Sequence, residues 1–133
     1  MSRTIESVGR TANSPFFVVS AVMEAGAGAA LLAVPDLAIR LVFGSSGTEA
    51  AVALGRLAGG ALLSLGVACW LARHAGASAA SSALVSGMLI YNAAVVALVL
   101  AGSLGAIGPL LLGVTVLHGG MTLWCLLLLR GGR

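Results

Sequence analysis

The chain has 133 residues, 59% of them apolar and 8% charged, with a mean hydropathy of +1.10. Soluble domains carry about a quarter of their residues as charges, so this composition excludes a water-facing surface over most of the molecule and makes the solvent largely lipid. The net charge of +3 resides on arginines scattered at predicted helix ends, which excludes a nucleic-acid patch and reads as a topology signal.

A hydrocarbon core about 30 Å thick takes roughly 20 apolar residues per helix. The length therefore suits four spans and short loops in a single transmembrane domain. The predicted fold is all-α: an integral membrane four-helix bundle with a short interfacial helix between spans one and two.

Residues 1–13 are polar and mixed (Arg3, Glu6, Arg10, Asn13) and read as a cytoplasmic tail with some surface-helix character. Ser14-Pro15 has the form of a helix start, with Ser as N-cap and Pro where no amide hydrogen is needed. Span one is predicted over 15–34, stopping near Pro35. Basic residues ahead of an apolar stretch also describe a signal peptide, but Glu24 interrupts the stretch and three further spans follow.

Residues 36–43 are too short to cross. Asp36 and Arg40 fall four apart on one helical face among apolar neighbours, the pattern of one or two turns lying in the interface. Gly44-Ser45-Ser46-Gly47 is a turn by composition, and Thr48 caps span two with Glu49 against the helix dipole. Span two is predicted over 49–71, ending before Arg73-His74. Small residues and serines over 75–82 read as a loop into span three (83–101). An uncharged connection leads to span four (109–129).

The tail, the second loop and the C-terminus carry Arg3, Arg10, Arg73, Arg130 and Arg133, whereas the first and third loops carry only Arg40. The positive-inside rule puts both termini in the cytoplasm, with Trp70 and Trp124 near the cytoplasmic ends of spans two and four. Arginine without lysine, in a chain rich in Ala, Gly, Leu and Val, fits a GC-rich bacterial gene and hence a multi-pass protein of the bacterial inner membrane.

Glu24, Arg56, Asn92 and His118 are strongly polar residues deep in the spans, one in each. A charge at the bilayer centre costs about 2.5–3.5 kcal/mol on insertion scales, so such residues face the bundle interior and find partners. At about 1.5 Å of rise per residue, the four lie at similar heights and can converge on one ligand-binding site. Glu24, His118 and Tyr91 are the candidate acid/base groups. Glu24 reads as a proton acceptor or a counter-charge for a cationic ligand, or as half of a structural ion pair with Arg56, the pairing a desolvated guanidinium favours. Arg56 can instead snorkel outward, with Glu49 seven residues earlier on its face. Gly55 and Gly59 beside it have GxxxG spacing.

Thr115, His118, Thr122 and Cys125 make a stripe on span four. A lone buried His is as often a hydrogen-bonded core residue, and Asn92 as often a helix bridge. The methionines read as packing and the two cysteines, Cys69 and Cys125, as free thiols. No metal site or cofactor motif is present in the sequence. Met23-Glu24-Ala25 and Tyr91-Asn92-Ala93 hint at a two-fold repeat of the kind found in transporters.

In its four short spans and the acidic residue midway along the first, the chain resembles the small multidrug exporters. The resemblance covers topology and Glu24; the aromatic-rich motifs of those exporters are missing. It implies a carrier that dimerises to enclose a path. Three functions stay open: a small carrier or ligand-binding protein built on Glu24; an accessory or assembly subunit whose polar cluster specifies packing; and an intramembrane acid/base enzyme, of isomerase or cyclase type, on a lipophilic substrate. The expected partners are the lipid bilayer, a small or lipophilic ligand, and a second copy or another membrane subunit.

Overall fold

The computed structural model describes residues 2–102 and 108–131, with side chains placed from Ser14 onward. The described residues are helical with short connections: α1 Ser2–Ala33, α2 Pro35–Phe43, α3 Glu49–Ala72, α4 Ala79–Leu100 and α5 Leu111–Gly131. Four segments are long and apolar enough to cross a membrane: Ser14–Ala33, Glu49–Ala72, Ala79–Leu100 and Leu111–Gly131. The chain is an all-α, multi-pass membrane protein.

The first span, Ser14–Ala33, falls where expected, but the helix that carries it starts earlier. α1 runs unbroken from Ser2 through Pro15, so Ser14 caps nothing. Proline lacks the amide hydrogen that would bond the carbonyl four residues back, and α1 forgoes that bond at Thr11 without ending. α4 starts earlier than predicted, at Ala79. Ser78 and Ser81 form a reciprocal capping box there, each hydroxyl accepting from the other's amide at 3.1 and 2.9 Å. The predicted loop is shortened because its serines are a helix start. The uncharged connection before α5 falls largely on 103–107, outside the described residues.

α2 lies between the first two spans. Asp36 pairs with Arg40 at 3.1 Å, and its other oxygen accepts from the Gly47 amide at 3.1 Å, closing the turn. Gly44 takes the left-handed conformation at φ 80° that ends α2, a geometry that favours glycine. Thr48 then caps α3, accepting from the Ala51 amide at 3.2 Å.

α1 packs most closely along α3, and α4 along α5. The first pairing depends on missing side chains. A Cβ on Gly28 would sit 2.6 Å from the Leu63 nitrogen, one on Gly59 2.8 Å from the Gly28 carbonyl oxygen, and one on Gly66 2.7 Å from the Ala25 nitrogen. Small residues at such crossings let backbones approach and gain dispersion contact, which lipid does not drive by itself. The two hairpins meet at a core of Phe16, Phe17, Ala21, Cys69, Val85, Met88, Met121 and Cys125. At the α2 end, the Gly108 and Leu110 amides donate to the Val42 and Leu41 carbonyls, each at 3.0 Å.

Candidate functional site in the membrane interior

The α1 face that turns inward carries Phe16, Phe17, Ser20, Ala21 and Glu24, spaced three and four apart as one helical stripe requires. Ala25 and Gly28 are held against Gly66 and Gly59 of α3. That contact fixes the rotation of α1 and leaves Glu24 facing the middle of the bundle, midway along its span, at 2% exposure. The Tyr91 phenol on α4 faces the Glu24 carboxyl within reach of a hydrogen bond. Cys69 of α3 lies within electrostatic range of Glu24 and of Cys125.

Asn92 and His118 form the second half of the cluster. The Asn92 side-chain amide donates to the Met88 carbonyl at 2.7 Å, so its oxygen is left to face His118 Nδ1, also at 2.7 Å. An amide oxygen only accepts; Nδ1 is therefore the donor. The His118 ring then meets Tyr91 edge-on, with centroids 5.5 Å apart and planes at 83°. The Met88 carbonyl, Asn92, His118, Tyr91 and Glu24 thus follow one another from group to group. The first four hold one another in place, and the buried carboxyl ends the row.

Three of the four deep polar residues come together, and Arg56 does not. Gly55, Gly59 and Gly66 turn toward α1 and α2, and Arg56, rotated by about 100° from Gly55, lies exposed on α3. The expected Glu24–Arg56 ion pair is not formed. Asp36–Arg40 is the one carboxylate–guanidinium pair among the described residues, and Arg56 has no place in the cluster. No basic side chain among the described residues pairs with Glu24.

The span-four stripe is only partly a site. Thr115 and Thr122 donate back to the carbonyls of Leu111 and His118, each at 2.8 Å, which satisfies their hydroxyls within α5. His118 and Cys125 alone reach the interior as buried groups. Met88 and Met121 pack in the core, and Cys69 and Cys125 are free thiols, both fully buried. Among the described residues no group of His, Cys, Asp and Glu is arranged to hold a metal ion.

Ser20 was not legible as a site residue. Its hydroxyl is fully buried and has no hydrogen-bond partner among the described residues. The signal available in the sequence is its spacing, four residues before Glu24. Trp124, expected at the interface, packs edge-on against Phe16 at 5.5 Å. Trp70 is exposed, with the Arg73 guanidinium 4.0 Å from its ring centroid. No family model matches the chain, nor does any curated protein or solved structure.

Proposed function

We propose that the protein binds or carries a proton or a small cationic ligand through the Glu24 cluster. The observation that carries this reading is a carboxyl at 2% exposure, midway along a span, with no cationic partner among the described residues. A carboxylate in such a place must be neutralised by a proton or a cation. With the expected arginine outside the cluster, that neutralising species comes from elsewhere. The Tyr91 phenol beside it supports exchange, because it can donate to the carboxylate and accept from the protonated acid.

The reading extends to a bacterial inner membrane with both termini cytoplasmic, on the arginine distribution and composition described above, and to a homo-oligomer, because four spans alone do not enclose a path. The test is infrared absorption of the purified protein in lipid. A protonated-carboxyl band is expected that converts reversibly to carboxylate as pH rises and is absent from Glu24→Gln. In proteoliposomes, Glu24→Gln is expected to abolish ligand-coupled proton movement while the protein stays folded. A Glu24 carboxylate that stays ionised down to strongly acidic pH would mean a permanent ion pair and end the proposal.

A second reading, an accessory subunit of a larger membrane assembly, is favoured by one observation. Gly60, Gly87, Gly113, Gly119 and Gly120 have nothing within 4 Å of where a Cβ would stand. Helix faces built of small residues commonly meet other helices.

A further inference from the structure

Arg56 stands apart from the mid-span cluster, on the lipid side of α3. That helix has 24 residues, so it is about 36 Å long at about 1.5 Å per residue, a few ångströms more than a hydrocarbon core of about 30 Å. Its first residue, Glu49, therefore lies at the membrane interface, at the end where α2 also lies. Arg56 follows seven residues later, about 10 Å further along the axis and within about 20° of the same direction. Both are exposed, and they do not pair with each other, since Asp36–Arg40 is the one carboxylate–guanidinium pair among the described residues. The α3 dipole favours Glu49 in the first turn but gives no reason for a base two turns further in.

A guanidinium facing hydrocarbon is costly, and a long side chain escapes by reaching toward the interface. Helical side chains lean toward the helix N-terminus, which for α3 is the interface near Glu49. The Arg56 guanidinium thus stands just on the hydrocarbon side of the Glu49 carboxylate, on one stripe. One turn deeper on that stripe is Gly60, with nothing within 4 Å of where a Cβ would stand. The Ser64 hydroxyl beyond it is turned back onto the Gly60 carbonyl at 2.9 Å, and Val67 is exposed. From the interface inward the stripe reads carboxylate, guanidinium, apolar furrow.

We propose that this face of α3 holds a phospholipid of the phosphatidylethanolamine type, with its phosphate on Arg56, its ammonium on Glu49 and an acyl chain along Gly60. The inference is independent of the Glu24 reading. A phospholipid lies in a bilayer with its chains deepest, its phosphate next and its amine outermost, the same order as furrow, guanidinium and carboxylate. The guanidinium fork suits the oxygens of a phosphate. A primary ammonium brings three N–H donors to a carboxylate that only accepts, whereas a trimethylated choline head keeps the charge and loses the donors. A phosphatidylglycerol head has no cation, and its net negative charge meets Glu49 as repulsion.

The experiment is native mass spectrometry of the purified full chain in detergent micelles, titrated with the dioleoyl forms of phosphatidylethanolamine, phosphatidylcholine and phosphatidylglycerol. Phosphatidylethanolamine is expected to bind about tenfold more tightly than either of the others, the value of one hydrogen bond to a charged group. Glu49→Gln should bring phosphatidylethanolamine down to the level of phosphatidylcholine and strengthen the binding of phosphatidylglycerol. Arg56→Leu should weaken all three, since each carries a phosphate. Because Arg56 is exposed, its replacement should leave the melting temperature in lipid-free detergent unchanged or raised, which separates lost binding from lost folding. Equal binding of the three lipids by the unaltered chain, or a preference that survives Glu49→Gln, would overturn the inference. So would a melting temperature that falls in both variants without added lipid, the mark of an ion pair between Glu49 and Arg56. A dimer that is lost in Arg56→Leu would overturn it too, by placing a second copy on that face.

Discussion

Asn92 and His118 sit on α4 and α5 and share one 2.7 Å hydrogen bond, while the Asn92 amide nitrogen is committed to Met88. Removing either partner leaves a buried polar group unpaired, at about 1–3 kcal/mol. Asn92→Ala and His118→Ala are each expected to destabilise the protein by that amount, measured by thermal melting in detergent. The double variant should cost about 1 kcal/mol less than the sum of the singles, within the range of interhelical couplings in membranes. Strict additivity would deny the bond. At this scale the sequence was informative about depth but not about direction. Polar residues at mid-span are visible as violations of lipid solubility, which is why Glu24, Asn92 and His118 stand out. Whether a residue points inward is set by helix rotation, which depends on the neighbouring helix. Arg56, at a similar depth, is therefore indistinguishable from them by depth alone, and Ser20, which hydropathy does not mark, is signalled only by its spacing from Glu24.

Helix ends were readable where a side chain does the capping. Thr48 and the Asp36–Arg40 pair behave as their spacing requires, because both are local interactions fixed by helical geometry. Pro15 was misleading, since proline marks a helix start only when the preceding turn does not continue, and α1 continues. The GxxxG spacing of Gly55 and Gly59 gives only part of the α1–α3 crossing. Gly59 and Gly66, seven residues apart, are the positions where the α1 backbone is closest, with Gly28 and Ala25 opposite. Gly28→Ala is expected to destabilise by about 1–3 kcal/mol, the usual range for overpacking, because its new methyl group meets backbone that cannot rotate away. Gly60→Ala on the same α3, with nothing within 4 Å, should be neutral in an isolated protomer. A loss of stability or of oligomer from Gly60→Ala, seen by native mass spectrometry, would show that a second helix uses that face.

For the whole molecule, the composition alone dictates a lipid-solvated helical protein, and four spans follow from length. The order in which the spans pack does not follow. Close pairing of α1 with α3 arises from backbone approach at particular glycines and from the α2 connection, and α4 is tied to α5 by the Asn92–His118 hydrogen bond, none of which periodicity records. Orientation can be tested directly, since both native cysteines are fully buried and give little background. Ser45→Cys, between α2 and α3, is expected to react with a membrane-impermeant maleimide on intact cells. His74→Cys, between α3 and α4, should react only after permeabilisation. The reverse pattern would invert the proposed topology.

The two hairpins are tied differently at their two ends. At the Arg73 end the polypeptide itself crosses from α3 to α4, and Phe16 rests on Trp124. At the α2 end the crossing tie includes two backbone hydrogen bonds, from Gly108 to Val42 and from Leu110 to Leu41, each with a net value of about 0.5–1.5 kcal/mol. The seam is thus joined through the chain at one end and by backbone hydrogen bonds at the other, so loss of those two bonds would leave the 73–78 link and the side-chain core to hold the two helix pairs together.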